Sequence, residues 1–174
     1  FDGVYVRSHG VRVGGPNPGD VNVFSGNDRY GLYVQYDAVG TIIENNLFGT
    51  DPSGSFAVTS PTRASNSYLV RLRSTHCIMR GNVLAGGRYG MLMDSTSAHH
   101  NLLEGNLSGL DASGTYPIPH EVYGLQLTGN GENEIRDNLV VARESIGMYV
   151  YGAAMTNNLI EANHFGLDAT GINM

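Results

Sequence analysis

The sequence contains no lysine; all ten basic residues are arginine. Sixteen acidic residues outnumber them, for a formal net charge of −6. No basic stripe able to neutralise phosphates is present, which argues against nucleic-acid binding. One cysteine, Cys77, excludes an intrachain disulfide and is expected to pack as a small core hydrophobe. Charged residues make up only 15% and apolar residues 41%, a balance unlike that of a disordered chain. No apolar run is long enough to cross a bilayer, so membrane insertion is not expected. Helix has little support: apolar residues never keep spacings of three and four for long, because Gly or Asn interrupts almost every window. No signal, transit or lipidation motif is visible, and the chain opens at Phe1 directly in strand-like sequence.

Glycine and asparagine are abundant, at 24 and 16 residues. Both tolerate left-handed backbone, so many tight turns are expected. Between those turns a short pattern recurs: Gly3-Val4-Tyr5-Val6, Gly31-Leu32-Tyr33-Val34, Leu69-Val70-Arg71-Leu72, Gly90-Met91-Leu92-Met93, Gly124-Leu125-Gln126-Leu127 and Gly147-Met148-Tyr149-Val150. The second and fourth positions are apolar in every copy, the period-2 signature of a strand with one face buried. The copies start 28, 38, 21, 34 and 23 residues apart. The shortest intervals define a coil, and inserted loops account for the long ones.

A second strand follows in each coil, at Val11-Arg12-Val13, Ile43-Glu44-Asn45, Met79-Arg80-Gly81, Leu103-Glu104-Gly105, Ile135-Arg136-Asp137 and Ile160-Glu161-Ala162. Asn46, Asn82, Asn106, Asn138 and Asn163 come next, in five of the six coils. One register of Asn predicts a bend with a continuous ladder of side-chain amides, because buried amides are tolerated only when paired. Charge alternates along the second strand as Arg12, Glu44, Arg80, Glu104, Arg136 and Glu161. Opposite charges on adjacent rungs attract, so the repeating unit is two coils. The loops agree: Gly49-Thr50-Asp51-Pro52-Ser53-Gly54, Gly109-Leu110-Asp111-Ala112-Ser113-Gly114 and Gly166-Leu167-Asp168-Ala169-Thr170-Gly171 follow the even coils. Coil one has its own bulge at Gly14-Gly15-Pro16-Asn17-Pro18-Gly19. Short strands that return in one direction without helical crossovers define a parallel β-helix.

These motifs, with Val13-Gly14-Gly15, Asn22-Val23-Phe24-Ser25-Gly26-Asn27 and Asn45-Asn46-Leu47-Phe48-Gly49-Thr50-Asp51, resemble the right-handed parallel β-helix repeat family of the pectate-lyase-like superfamily. The resemblance covers nearly the whole chain. It implies an all-β, right-handed, single-stranded solenoid of about six coils, with long loops on alternate coils. Residues 1–174 are then one β-helix domain, expected to be part of a longer chain whose flanking domain or partner chain covers the open ends. Members of the superfamily include polysaccharide lyases, hydrolases and epimerases, phage tail spikes and surface adhesins. An extracellular, cell-surface or virion setting is implied, and calcium is the cofactor such enzymes admit.

Three candidate sites follow. Asp94, Asp111 and Glu121 are the carboxylates available for a hydrolytic pair, which needs two groups roughly 5 to 9.5 Å apart. Asp51, Asp111 and Asp168 occupy equivalent loop positions and are expected to cap their turns. Outward Tyr33, Arg71 and Tyr149, with loop residues Arg63, Tyr116 and His120, have the chemistry to bind a polysaccharide or cell-surface glycan. Finally, His9, His76 and His100 each precede the second strand by two residues. His76 and His100 should be neighbours with His99 beside them, and stacked imidazoles can hold a transition metal. The leading expectation is a structural or carbohydrate-binding module with no resident cofactor; a polysaccharide-active enzyme and a spike or adhesin subunit are the alternatives.

Overall fold

The computed structural model describes residues 1–58, 68–142 and 146–172. Its strands form three parallel sheets of six strands each. Every coil gives one strand to each sheet, and every pairing joins neighbouring coils in sequence order. The first sheet contains Val4–Val6, Tyr30–Val34, Tyr68–Leu72, Tyr89–Met93, Tyr123–Leu127 and Ile146–Val150. The second contains Arg12–Gly14, Ile42–Glu44, Ile78–Arg80, Leu102–Glu104, Glu134–Arg136 and Leu159–Glu161. The third is built from two-residue strands: Val23–Phe24, Leu47–Phe48, Val83–Leu84, Leu107–Ser108, Leu139–Val140 and His164–Phe165. The architecture is a parallel β-helix. Among the described residues the only helix is one 3₁₀ turn, Pro18–Asp20, in the coil-one bulge.

The inward columns form the core. Leu32, Val70, Met91, Leu125 and Met148 stack in register on the first sheet, with Val34, Leu72, Met93 and Leu127 beside them. The second sheet contributes Val13, Ile43, Met79, Leu103 and Ile135, all buried. Phe24 and Phe48 stack at 4.8 Å on the third sheet. The last rung leaves Ile160 and Phe165 nearly half exposed.

Register corrects one sequence assignment. Val13, rather than Val11, lies opposite Ile43, and Gly14 lies opposite Glu44. Arg12 is therefore outside the column formed by Glu44, Arg80, Glu104, Arg136 and Glu161. It reaches diagonally to the same charge, however, bonding Glu44 Oε2 at 2.6 Å while Arg80 bonds Oε1 at 2.8 Å. Arg136 meets Glu104 at 3.0 Å. The insertion that follows this strand, with the 3₁₀ turn Pro18–Asp20 before the bend at Asn22, displaced the alignment.

The asparagine ladder runs through five coils with Nδ2-to-Oδ1 bonds of 3.1 Å (Asn46 to Asn82), 3.0 Å (Asn82 to Asn106), 2.9 Å (Asn106 to Asn138) and 2.8 Å (Asn138 to Asn163). Each Nδ2 also donates to a carbonyl of the preceding coil, as Asn106 does to Met79 at 2.9 Å. Asn22 begins the ladder one coil earlier, donating to Asn46 Oδ1 at 2.9 Å. A second ladder, not anticipated from the sequence, joins Asn101, Asn133 and Asn158 on the other side of the second sheet at 3.1 and 3.0 Å.

The even-coil loops stack directly on one another. Ala112 N–H donates to Gly54 O and Ala169 N–H to Gly114 O. Gly109 has φ +81°, and a Cβ there would lie 2.1 Å from the Val141 carbonyl, so only glycine closes this turn. Asp51 holds each turn of the first loop from within, accepting Ser53 Oγ–H at 2.6 Å and the N–H groups of Ser55 and Phe56. Asp111 and Asp168 repeat the arrangement.

Candidate functional site

The two turns beside the second sheet share one device: a residue in left-handed backbone followed by a buried residue. Before the sheet, the left-handed position is occupied by Gly10, Gly40, His76, His100, Glu132 and Asn157, coil by coil. Three consecutive coils thus place His, His and Glu where glycine fits without strain; φ is 54°, 54° and 61°. For an ordinary L-residue this backbone costs roughly 1 kcal/mol. The next residue turns inward, at Cys77, Asn101 and Asn133, and is buried. That inward anchor fixes the outward direction of the residue before it.

The result is a compact cluster. The His76 and His100 rings are parallel within 3°, with centroids 5.1 Å apart. His99 stands edge-on to both, at 6.3 and 4.9 Å. His99 Nδ1 and His100 Nδ1 are 2.7 Å apart, and His100 Nε2 lies 3.4 Å from Glu132 Oε2. Thr75 Oγ1 donates to the His99 carbonyl at 2.6 Å. It also lies 2.9 and 3.1 Å from the Nδ1 atoms of His76 and His99, and the His76 Nδ1–H is placed to donate to it. One proton assignment satisfies the network: His99 Nδ1–H toward His100 Nδ1, and His100 Nε2–H toward Glu132. One ligand atom each from His99, His100 and Glu132 lies within 4.8 Å of the other two. His100 and Glu132 are about half exposed, with side chains at 47% and 53%.

His9 is not part of this cluster. Gly10 occupies the column of His76 and His100, so His9 is one position early. The sequence drew attention to His76, His99 and His100 but not to Glu132. Its signal was present: Glu132 stands two residues before Glu134, as His100 stands two before Leu102.

The carboxylate candidates do not assemble. Asp94 is ion-paired with Arg71 and, at 3.4 Å, with Arg73. Glu121 lies at the opposite end of the first sheet, its N–H on Gly87 O. The five-residue strand between them spans ~16 Å, too far for a hydrolytic pair. Asp111 is directed into its own turn. Its carboxyl lies below the usual range although burial pushes it upward, because the Tyr116 N–H, the Ser113 hydroxyl and the Thr115 N–H together prevail. Asp51 and Asp168 are also lowered, first by the Ser53 and Thr170 hydroxyls and then by backbone N–H groups. Oxygens that receive N–H donors are poorly placed to ligate calcium.

The glycan-binding candidates separate. Tyr33, Arg71 and Tyr149 share one register column on the outer face of the first sheet, beside the column Tyr68, Tyr89 and Tyr123, whose last ring stacks on Tyr149. Tyr68 and Tyr89 stack at 4.4 Å, Tyr123 and Tyr149 at 5.1 Å, so these ring faces cover one another. Arg71 lies over Tyr30 and Tyr33, and Tyr33 is only 8% exposed. Burial pushes the Tyr68 hydroxyl up to about 12, and it donates to Gln126 Oε1 at 2.7 Å. Tyr116 is exposed on its loop, and Arg63 lies outside the described residues.

His120 is a correction: it is 4% exposed and forms no wall of a groove. It enters the core where the inward column Phe24, Phe48, Leu84 meets Ser108, and its Nε2 lies 3.1 Å from Ser108 Oγ. Gly90 leaves the space, since a Cβ there would lie 2.8 Å from that nitrogen. Burial pushes the imidazole down to about 4.

No curated protein and no solved structure matches the chain. A family model does, over residues 4–174; it is described as periplasmic copper-binding protein (NosD). Three parallel six-stranded sheets agree with the fold of that family. The chain belongs to the NosD family, a right-handed parallel β-helix family of the pectate-lyase-like type.

Proposed function

We propose that this chain is an extracytoplasmic β-helix module, in keeping with its periplasmic family, and that it holds copper at His99, His100 and Glu132 beside His76. The observation that carries the reading is the left-handed column, where three successive coils place metal-ligating side chains at strained positions. Strain of this kind gathers where side-chain placement matters. Imidazole and carboxylate are donors that copper accepts. Ligand atoms within 4.8 Å must close to about 3 Å for neighbouring ligands around a metal with bonds near 2 Å. Rotation of the exposed His100 and Glu132 side chains can supply that movement. The cation would replace protons now shared along the His99–His100–Glu132 chain. Bound copper supplies a one-electron redox centre; the protein residues hold it at the surface, with His76 stacked against one ligand and Thr75 fixing the ring beside it.

Calorimetric titration with copper tests the reading. One equivalent should bind the native chain, and His100→Ala should weaken binding by more than ~10-fold. Equal binding by native protein, His99→Ala and His100→Ala would remove the site.

A second reading, glycan binding, rests on the exposed rings of Phe56 and Tyr116 on the stacked even-coil loops. A screen of acidic and neutral polysaccharides with and without calcium checks it. Failure to retain any of them sinks the reading, whereas depolymerised product would make the module an enzyme.

A further inference from the structure

Resting on the copper site proposed above, we infer that the His99–His100–Glu132 cluster selects the oxidised ion, Cu(II), over Cu(I). The donors are two imidazoles and one carboxylate, with nitrogen and oxygen as the only ligand atoms. Cu(I) is retained by soft sulfur ligands, whereas nitrogen and oxygen in a tetragonal arrangement suit Cu(II).

The fold keeps sulfur away from this cluster. Cys77 follows His76 directly, yet the left-handed turn directs the two side chains to opposite sides. Cys77 is buried, and its Sγ lies 3.5 Å from the Thr75 carbonyl and 3.8 Å from that of Ala38. Met93 is also buried, and its Sδ accepts the Asn101 amide at 3.5 Å. Met79 and Met91 are core residues, while Met148 and Met155 pack against the core. Among the described residues, each methionine thus has a packing role inside the coils.

Charge points the same way. Glu132 supplies one negative charge beside two neutral imidazoles, which favours the doubly charged ion over the singly charged one by Coulomb attraction. The half-exposed His100 and Glu132 leave room for water to complete four or five positions around Cu(II). Among divalent ions at such a site, copper also stands above nickel and zinc in intrinsic affinity.

The test uses the intact chain with copper alone as the probe. Cu(II) affinity is measured in a competing glycine buffer, and Cu(I) affinity anaerobically against a chromogenic Cu(I) chelator. Electron paramagnetic resonance of the Cu(II) form reports the bound nitrogens. The expected result is Cu(II) affinity at least ~100-fold above Cu(I), nitrogen hyperfine structure lost in His100→Ala, and a Glu132→Gln loss of ~10-fold or more confined to Cu(II). Cu(I) binding tighter than Cu(II), yet still abolished by His100→Ala, would overturn this selectivity and leave the site standing. Binding of neither ion, or binding insensitive to both His100→Ala and Glu132→Gln, would overturn the copper reading itself. Glu132→Gln serves alone if His100→Ala does not fold, since its side chain is exposed and outside the core.

Discussion

The turns on either side of the second sheet use the same backbone for different ends. After the sheet, the left-handed position is Asn45, Gly81, Gly105, Asp137 and Ala162, followed by the long asparagine ladder. Before the sheet, the same position contains His76, His100 and Glu132 in the middle coils, followed by Cys77 and the short ladder. Inside, both turns satisfy buried amides from coil to coil. Outside, one presents mostly small residues and the other presents a connected set of ionisable ligands. The ladder is a stability device, and the scaffold lets chemistry be added on its outer side without altering the rungs.

The largest expected effect would show the weight of the inner ladder. Asn106→Ala removes the Nδ2 donor to Met79 O and Asn138 Oδ1 and takes Asn106 Oδ1 away from the Asn82 backbone N–H and side-chain amide. A loss of about 4 kcal/mol in urea unfolding is expected from several buried groups left unpaired. A loss below about 1 kcal/mol would mean that the coils do not depend on the ladder.

Next comes His120, the buried histidine outside both turns. Its folded value, about 4, is below the unfolded value near 6.5. Protonation therefore favours unfolding: the stability contribution is complete above pH 6.5 and declines as pH falls toward 4. About 3 kcal/mol should disappear across that window. Unfolding curves between pH 7 and 4 for the native chain and His120→Gln check this, since the variant should lose the steep dependence. The Asp51, Asp111 and Asp168 turns weaken at lower pH, because their carboxyls lie below the usual range.

His100→Gly makes the comparison between the turns directly. Glycine relieves the φ of 54°, partly offset by a more flexible unfolded chain, so metal-free stability should rise by about 0.5 to 1 kcal/mol. Copper affinity should fall in the same variant. A loss of both stability and binding would show that the His76–His100 stack outweighs backbone strain.

A comparably small effect is expected at the charged column. Glu44→Gln weakens the contacts to Arg12 and Arg80, both about half exposed, and should cost about 1 kcal/mol at low ionic strength. High salt should narrow the difference. A salt-independent loss would assign the effect to packing of the buried Glu44 side chain instead.

Much of the fold was legible because it is periodic. The first-strand alignment predicted the register of all six coils, from Val4 opposite Leu32 to Leu125 opposite Met148. Asn46 to Asn163 stood out because a bend imposes one chemistry at one position. Asn22 was missed and Arg12 misplaced for a local reason: the coil-one insertion shifts the frame where no neighbouring copy precedes it. The second ladder was less visible because its column changes identity, from Thr41 and Cys77 to Asn101, Asn133 and Asn158. Of the candidate site, three histidines were legible from adjacency, whereas Glu132 required the stack to bring a third coil beside them.

The sequence by itself determined the rungs. Alternating apolar residues, Gly and Asn at recurring turns, and alternating Arg and Glu specify coils that can stack only in parallel. Tertiary structure decided which outward residues meet. It brought His100 to Glu132 across 32 residues, separated Asp94 from Glu121, and placed His120 inside the space left by Gly90 and Ser108. The physical reason is that stacking converts sequence separation into a rung spacing of about 4.8 Å. A site then depends on which residues share a column, and each inserted loop resets that count.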